Sequence, residues 1–124
     1  MNDPVAALVE YLNSHMDVTV YGASFQGSPP GGLVRASGGG ALTSGYMPSV
    51  DVRIDVRFYA ATDFQAWAYD RHATRLLHLI RNEATTHGVI RWCRIAGGPN
   101  QAVDTQTSWP MVLSSWQVYG DWFD

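Results

Sequence analysis

VDVRIDVRFY, residues Val50–Tyr59, decides how this chain folds. Val50, Val52, Ile54, Val56 and Phe58 fill the even positions, and Asp51, Arg53, Asp55, Arg57 and Tyr59 the odd ones. A strict period of two marks an amphipathic β-strand, because successive strand side chains point to opposite faces of a sheet. The even face must be buried as one wall of a core, while the odd face carries charges of alternating sign. What meets that charged row is the functional question.

Downstream, Thr62 and Gln65 form a T-x-x-Q capping box, with Asp63 placed to favour a helix N-terminus. Ala66, Tyr69, Ala73, Leu76, Leu77, Ile80 and Ala84 then recur at three- and four-residue intervals, and Gly88 suits a left-handed cap. The spacing predicts one helix over residues 63–87, about 24 residues or roughly 36 Å long, as the cover for the even face. Phe64 and Trp67 fall outside its apolar stripe, at the helix edge or in an interface. Val89–Ala96 has strand composition and is expected to end at Gly97-Gly98-Pro99. Met111–Tyr119 reads as a final strand, with Val112, Trp116 and Val118 on one side and Leu113, Gln117 and Tyr119 on the other. It runs into Trp122 and Phe123, an aromatic pair at a terminus that would normally fray.

Upstream, Asp3-Pro4 reads as an N-cap and first helical residue, followed by Val5, Leu8, Val9 and Leu12 on one helix face. Val18–Tyr21 is a first strand, expected to pair with Val50–Tyr59. Residues 22–45 hold eight of the twelve glycines and Pro29-Pro30, and read as a loop or arm. Within it, Leu33-Val34-Arg35-Ala36 is a candidate short strand. The expected architecture is a single α+β domain over 1–124: an antiparallel or mixed sheet of about four or five strands, with two helices on one face.

Composition narrows the chemistry. A chain of 124 residues with 46% hydrophobic residues supports one core. The net charge of -3 lacks the positive field of a dedicated DNA binder. All eight basic residues are arginine, so neither a lysine-bearing phosphate loop nor Schiff-base chemistry is available. Cys93 is alone, which excludes an internal disulfide, and it reads as a buried thiol in a strand. His15, His72, His78 and His87 form no metal-ligand spacing, so no metal and no cofactor are expected. Asp51 and Asp55 lie about 13 Å apart on one strand face. With Arg53 between them they suit ion pairing better than acid–base catalysis, and no catalytic residue is expected. No apolar run reaches the ~20 residues of a membrane span, and no signal peptide is evident; synthesis in a reducing cytoplasm is expected.

The charged row has two readings. It is either a solvated sheet surface, where each exposed pair contributes about 0–1 kcal/mol, or a subunit interface in which alternating charges set register. The order of features resembles one known family. Asp3–Val9 (DPVAALV), Val18–Tyr21 (VTVY), the glycine and proline loop, Phe58–Asp63 (FYAATD), Gly97-Gly98-Pro99, Asp104 and Trp109-Pro110 together look like the tail-terminator, or tail-completion, proteins of long-tailed bacteriophages. That resemblance implies a non-enzymatic structural virion protein, assembled in the host cytoplasm, that forms a hexameric ring. The ring would cap the tail tube, end its polymerisation and present a surface to the head–tail connector. Expected partners are copies of itself, the tail-tube protein and the connector, with no membrane and no sequence-specific nucleic acid; DNA would pass through the lumen. The resemblance matches Val50–Tyr59 to a sheet strand and residues 22–45 to a projecting arm. Candidate interface residues are therefore Asp51, Arg53, Asp55, Arg57, Leu33, Arg35, Trp122 and Phe123. The alternatives are another neck protein, of head-completion or stopper type, and a cytoplasmic α+β domain that takes a small ligand.

Overall fold

A computed structural model describes residues 4–22, 25, 28–36, 49–105 and 107–122, with the side chains of all of these except 49–51 and 122. In chain order the elements are α1 (Pro4–His15), β1 (Val20–Gly22), β2 (Gly31–Ala36), β3 (Ser49–Tyr59), α2 (Asp63–His78), β4 (Glu83–Thr85), β5 (Gly88–Val103) and β6 (Pro110–Trp122). The strands form one six-stranded mixed sheet in the order β1-β2-β3-β6-β5-β4, parallel at β1–β2 and antiparallel elsewhere. The α+β class is as expected; the strand count is six rather than four or five.

The period-two stretch is the central β3, paired along its whole length with β6 from Ser49↔Asp121 to Tyr59↔Met111. Its even side chains Ile54, Val56 and Phe58 are buried. They pack in one cluster with Ala7, Leu8, Tyr11 and Leu12 of α1, Ala73 and Leu77 of α2, and Trp116 and Val118 of β6. Both helices therefore lie on the even face. At the start of α2, the Thr62 hydroxyl accepts a hydrogen bond from the Gln65 amide at 3.2 Å, as the capping signature predicts.

Four local expectations are corrected. The helix after Thr62 stops at His78 rather than running to His87, and Leu79 closes it. Arg81 Nη1 donates to the His78 and Ile80 carbonyls there. Ile80 keeps its place in the core from outside the helix, which is why the apolar spacing ran on past the real end. Asn82, at φ 53°, then turns the chain into the β4–β5 hairpin, and β-branched Thr85 suits its strand. Second, β1 pairs with β2 and not with β3, because the candidate strand at Leu33–Ala36 forms and takes the place beside β3. Third, residues 31–36 of the glycine-rich segment are strand, while 23, 24, 26, 27 and 37–48 lie outside the described residues.

The fourth correction is at Gly97-Gly98-Pro99, which interrupts a strand without ending it. The β5–β6 register shifts between Ile95 and Gly97 and again between Gly97 and Asn100, after which pairing resumes to Val103↔Pro110. Gly98 takes φ +81°, and a Cβ there would sit 2.9 Å from the Leu113 carbonyl oxygen. Only glycine passes this bulge so close to the neighbouring strand.

Candidate interface on the uncovered face of the sheet

With both helices on the even face, the odd face is left without a helical cover among the described residues. Its side chains fall into cross-strand rows set by the register. Arg53 lies opposite Gln117, which lies opposite Arg94; Arg35, Asp55 and Ser115 form the next row, and Leu33, Arg57 and Leu113 the one after. On β6 the burial alternates strictly, with Val112, Ser114, Trp116 and Val118 buried and Leu113, Ser115, Gln117 and Tyr119 half-exposed.

Aromatic groups close the two ends of this face. At one end Phe25 packs against Tyr21, Tyr59 and Trp109, with ring centroids 5.3, 4.9 and 5.6 Å away. The ring of Phe25 lies so close to Gly31 that a Cβ there would be 2.3 Å from its Cε1, so a glycine at the start of β2 makes room for it. At the other end Trp92 and Tyr119 stack at 5.3 Å with an interplanar angle of 7°. Between these ends runs the charged row.

Among the described side chains the row does not pair within itself. Among the described residues the ion pairs are Arg91–Asp121 and His87–Glu10, and neither belongs to it. Asp55 accepts a hydrogen bond from the Ser115 hydroxyl at 2.8 Å, so the expected pairing of Asp55 with a β3 arginine is not made. Arg53 and Arg35 are exposed. Arg57 is half-buried, and its Nε is fully buried with no hydrogen-bond acceptor. Native structures leave few such atoms unpaired, and each calls for an explanation.

The structure thus gathers Arg53, Asp55, Arg57, Leu33 and Arg35 on one face of β2 and β3. Leu33 is buried, 4% exposed, and serves packing more than contact. Asp51 lies opposite Tyr119 at the far end of the row, but its side chain, and that of Trp122 on β6, are outside the described residues. So is the whole of Phe123. Sequence reading missed the Phe25 cluster and the Trp92–Tyr119 stack. A signal was present: Tyr59 and Tyr119 share the odd parity of the charged row.

Cys93 is buried on β5, and burial pushes its thiol pKa up to about 12. At neutral pH it is a thiol and not an activated nucleophile. No group of three or more His, Cys, Asp or Glu side chains that could hold a metal ion is found among the described residues. No helix among them is long and apolar enough to cross a membrane. Comparison with models of protein families and with curated proteins returns no match.

Proposed function

We propose that this chain is a structural virion protein, a tail terminator that assembles as a ring on the end of a phage tail tube, ends its polymerisation and joins it to the head connector. The reading rests on the family resemblance and on one physical observation. Arg57 presents a buried Nε with no acceptor in the middle of a sheet face that no helix covers among the described residues. Desolvating a guanidinium nitrogen without a partner costs free energy, and repacking of this half-exposed side chain against a neighbouring subunit that supplies an acceptor would recover it. A closed ring requires two different patches on each subunit. The Arg35, Arg53, Asp55 and Arg57 face is one of them, and an acid-bearing surface of the neighbour is its complement. Acidic residues outside the row, such as exposed Asp17 and Asp63, are available to build that surface.

Reversing one charge tests the assignment. Arg53 is exposed and takes part in no ion pair among the described residues, so Arg53→Glu should leave folding intact and lower the assembled mass measured by light scattering, with or without tail tubes. An unchanged mass would remove the row from the interface. Capping of purified tail tubes by the wild-type protein separates a terminator from a head-completion or stopper protein, which would bind at the neck without blocking tube growth.

A further inference from the structure

The sheet has two edges, and the chain treats them differently. At β1 the Gly32 N–H donates to the Thr19 carbonyl, so the N–H and C=O of Val20 point away from β2. One side chain takes both. The Val20 N–H donates to Asn13 Oδ1 at 2.8 Å, and Asn13 Nδ2 donates to the Val20 carbonyl at 2.9 Å. Asn13 stands in for a neighbouring strand and closes that edge.

At the other edge β4 pairs only with residues 88–90, and the Asn82 N–H adds a bond to the Arg91 carbonyl at 3.0 Å. From Trp92 onward β5 has β6 on one side and no strand on the other among the described residues. The bulge at Gly97-Gly98, and Pro99 with no N–H to offer, blunt the far part of this edge. Residues 92–95 remain regular, paired one for one with β6 from Tyr119 to Trp116 and open opposite.

An open cavity of about 380 Å³ straddles that stretch, lined by His78, Arg81, Trp92, Cys93 and Arg94. Trp92 and Arg94 stand on the uncovered face, where Arg94 lies over the Trp92 ring and Nη2 donates to Gln117 Oε1 at 3.1 Å. His78 and Arg81 stand on the helix side, where Arg81 Nη1 bonds the His78 and Ile80 carbonyls at the end of α2. The cations therefore flank the edge from opposite faces. A strand added there would meet both, because its successive side chains alternate between faces. No carboxylate lines the cavity, and neither arginine takes part in an ion pair among the described residues. Asp104 follows the far end of β5, beyond the bulge.

We propose that residues 92–95 accept an extended acidic segment of another protein as an added strand. Its backbone bonds to β5, and its carboxylates reach Arg94 on one face and Arg81 on the other. A second copy fits this edge poorly. Setting β5 against β5 would bring the arginines of one copy beside those of the other, and setting β5 against β1 would meet Asn13. The proposal rests on this edge alone and does not depend on ring formation.

Calorimetric titration of the full chain with a short capped peptide, valine and threonine alternating around paired central glutamates, tests it. Saturable binding is expected, with slowed hydrogen exchange at amides within residues 92–95. N-methylation of the central peptide amides keeps the charge and should abolish binding, since backbone pairing is lost. Arg94→Gln should weaken binding about tenfold by removing a charged hydrogen-bond donor, and glutamine in place of the glutamates at least as much. Arg94 is exposed, so the variant keeps the fold. No saturable binding of the acidic peptide, or equal binding of its N-methylated form, overturns the proposal. So does wild-type self-association in sedimentation that Arg94→Gln abolishes, which would give this edge to a second copy.

Discussion

Beneath the helices, Ile54, Val56, Phe58, Val112, Trp116 and Val118 are each at most 1% exposed. One residue away along the same two strands, Arg53 is exposed and Asp55, Arg57, Leu113, Ser115, Gln117 and Tyr119 remain partly in solvent. Backbone, register and hydrogen-bond ladder are shared, so the contrast arises wholly from side-chain parity. One face was built to be closed by the chain itself. The other was left with half-exposed side chains and an unpaired donor, so its free energy can still change when a partner arrives.

The largest effect is expected on the closed face. Phe58 is fully buried and packs in the cluster that joins both helices to the sheet. Phe58→Ala should cost about 3–5 kcal/mol in urea unfolding through lost transfer energy and a cavity. Arg53→Ala, at an exposed position on the uncovered face, should change stability by no more than about 0.5 kcal/mol. A loss below 1 kcal/mol for the phenylalanine variant would break the contrast between the faces.

Asp70 is the exception on the closed face. Its carboxylate is 2% exposed and accepts a hydrogen bond from Ser114 Oγ at 3.3 Å, while Ser114 Oγ accepts one from Trp116 Nε1 at 2.9 Å. Burial raises its pKa above the usual value of 3.8, against the smaller opposing effects of Ser114 and Arg71. The folded state therefore binds the proton more tightly than the unfolded state, and ionisation of Asp70 lowers stability as pH rises through the folded pKa. Asp70→Asn should stabilise the chain at pH 7 by about 0.5–2 kcal/mol. That gain over wild type should vanish below pH 3.8, where the aspartate is protonated in both states. A gain that persists in acid would assign the effect to packing.

The sheet faces were legible from the sequence because strand parity leaves an unmistakable trace in Val50–Tyr59 and Met111–Tyr119. The end of α2 was not, since Ile80 continues the apolar spacing while belonging to a turn, and helical periodicity cannot distinguish the two. Gly97-Gly98-Pro99 was misread for a related reason: the residues that terminate a strand are also those that bulge it, and only pairing with β6 decides. The charges of the candidate interface were identifiable by type and parity. That the described ones form no ion pairs was not, because it depends on side-chain reach across strands, as Asp55 shows by taking the Ser115 hydroxyl. Asp70 gave no warning either. A lone aspartate on a helix is ordinarily solvated, and its burial follows from how α2 lies on β6.

The smallest effect has the most to say about the uncovered face. A half-buried arginine whose Nε has no acceptor weakens the free chain, because the nitrogen loses its water without gaining a partner. Arg57→Leu keeps apolar contact with Leu33 and Leu113 across the row while removing that nitrogen. It should raise the stability of the isolated subunit by up to about 1 kcal/mol in chemical denaturation. The same substitution should lower assembly, since the acceptor brought by a neighbour would then meet no donor. Opposite signs in the two measurements are what an interface residue requires. If Arg57→Leu instead destabilises the free subunit by 1 kcal/mol or more, the guanidinium is satisfied within the chain, and the odd face is an ordinary solvated surface.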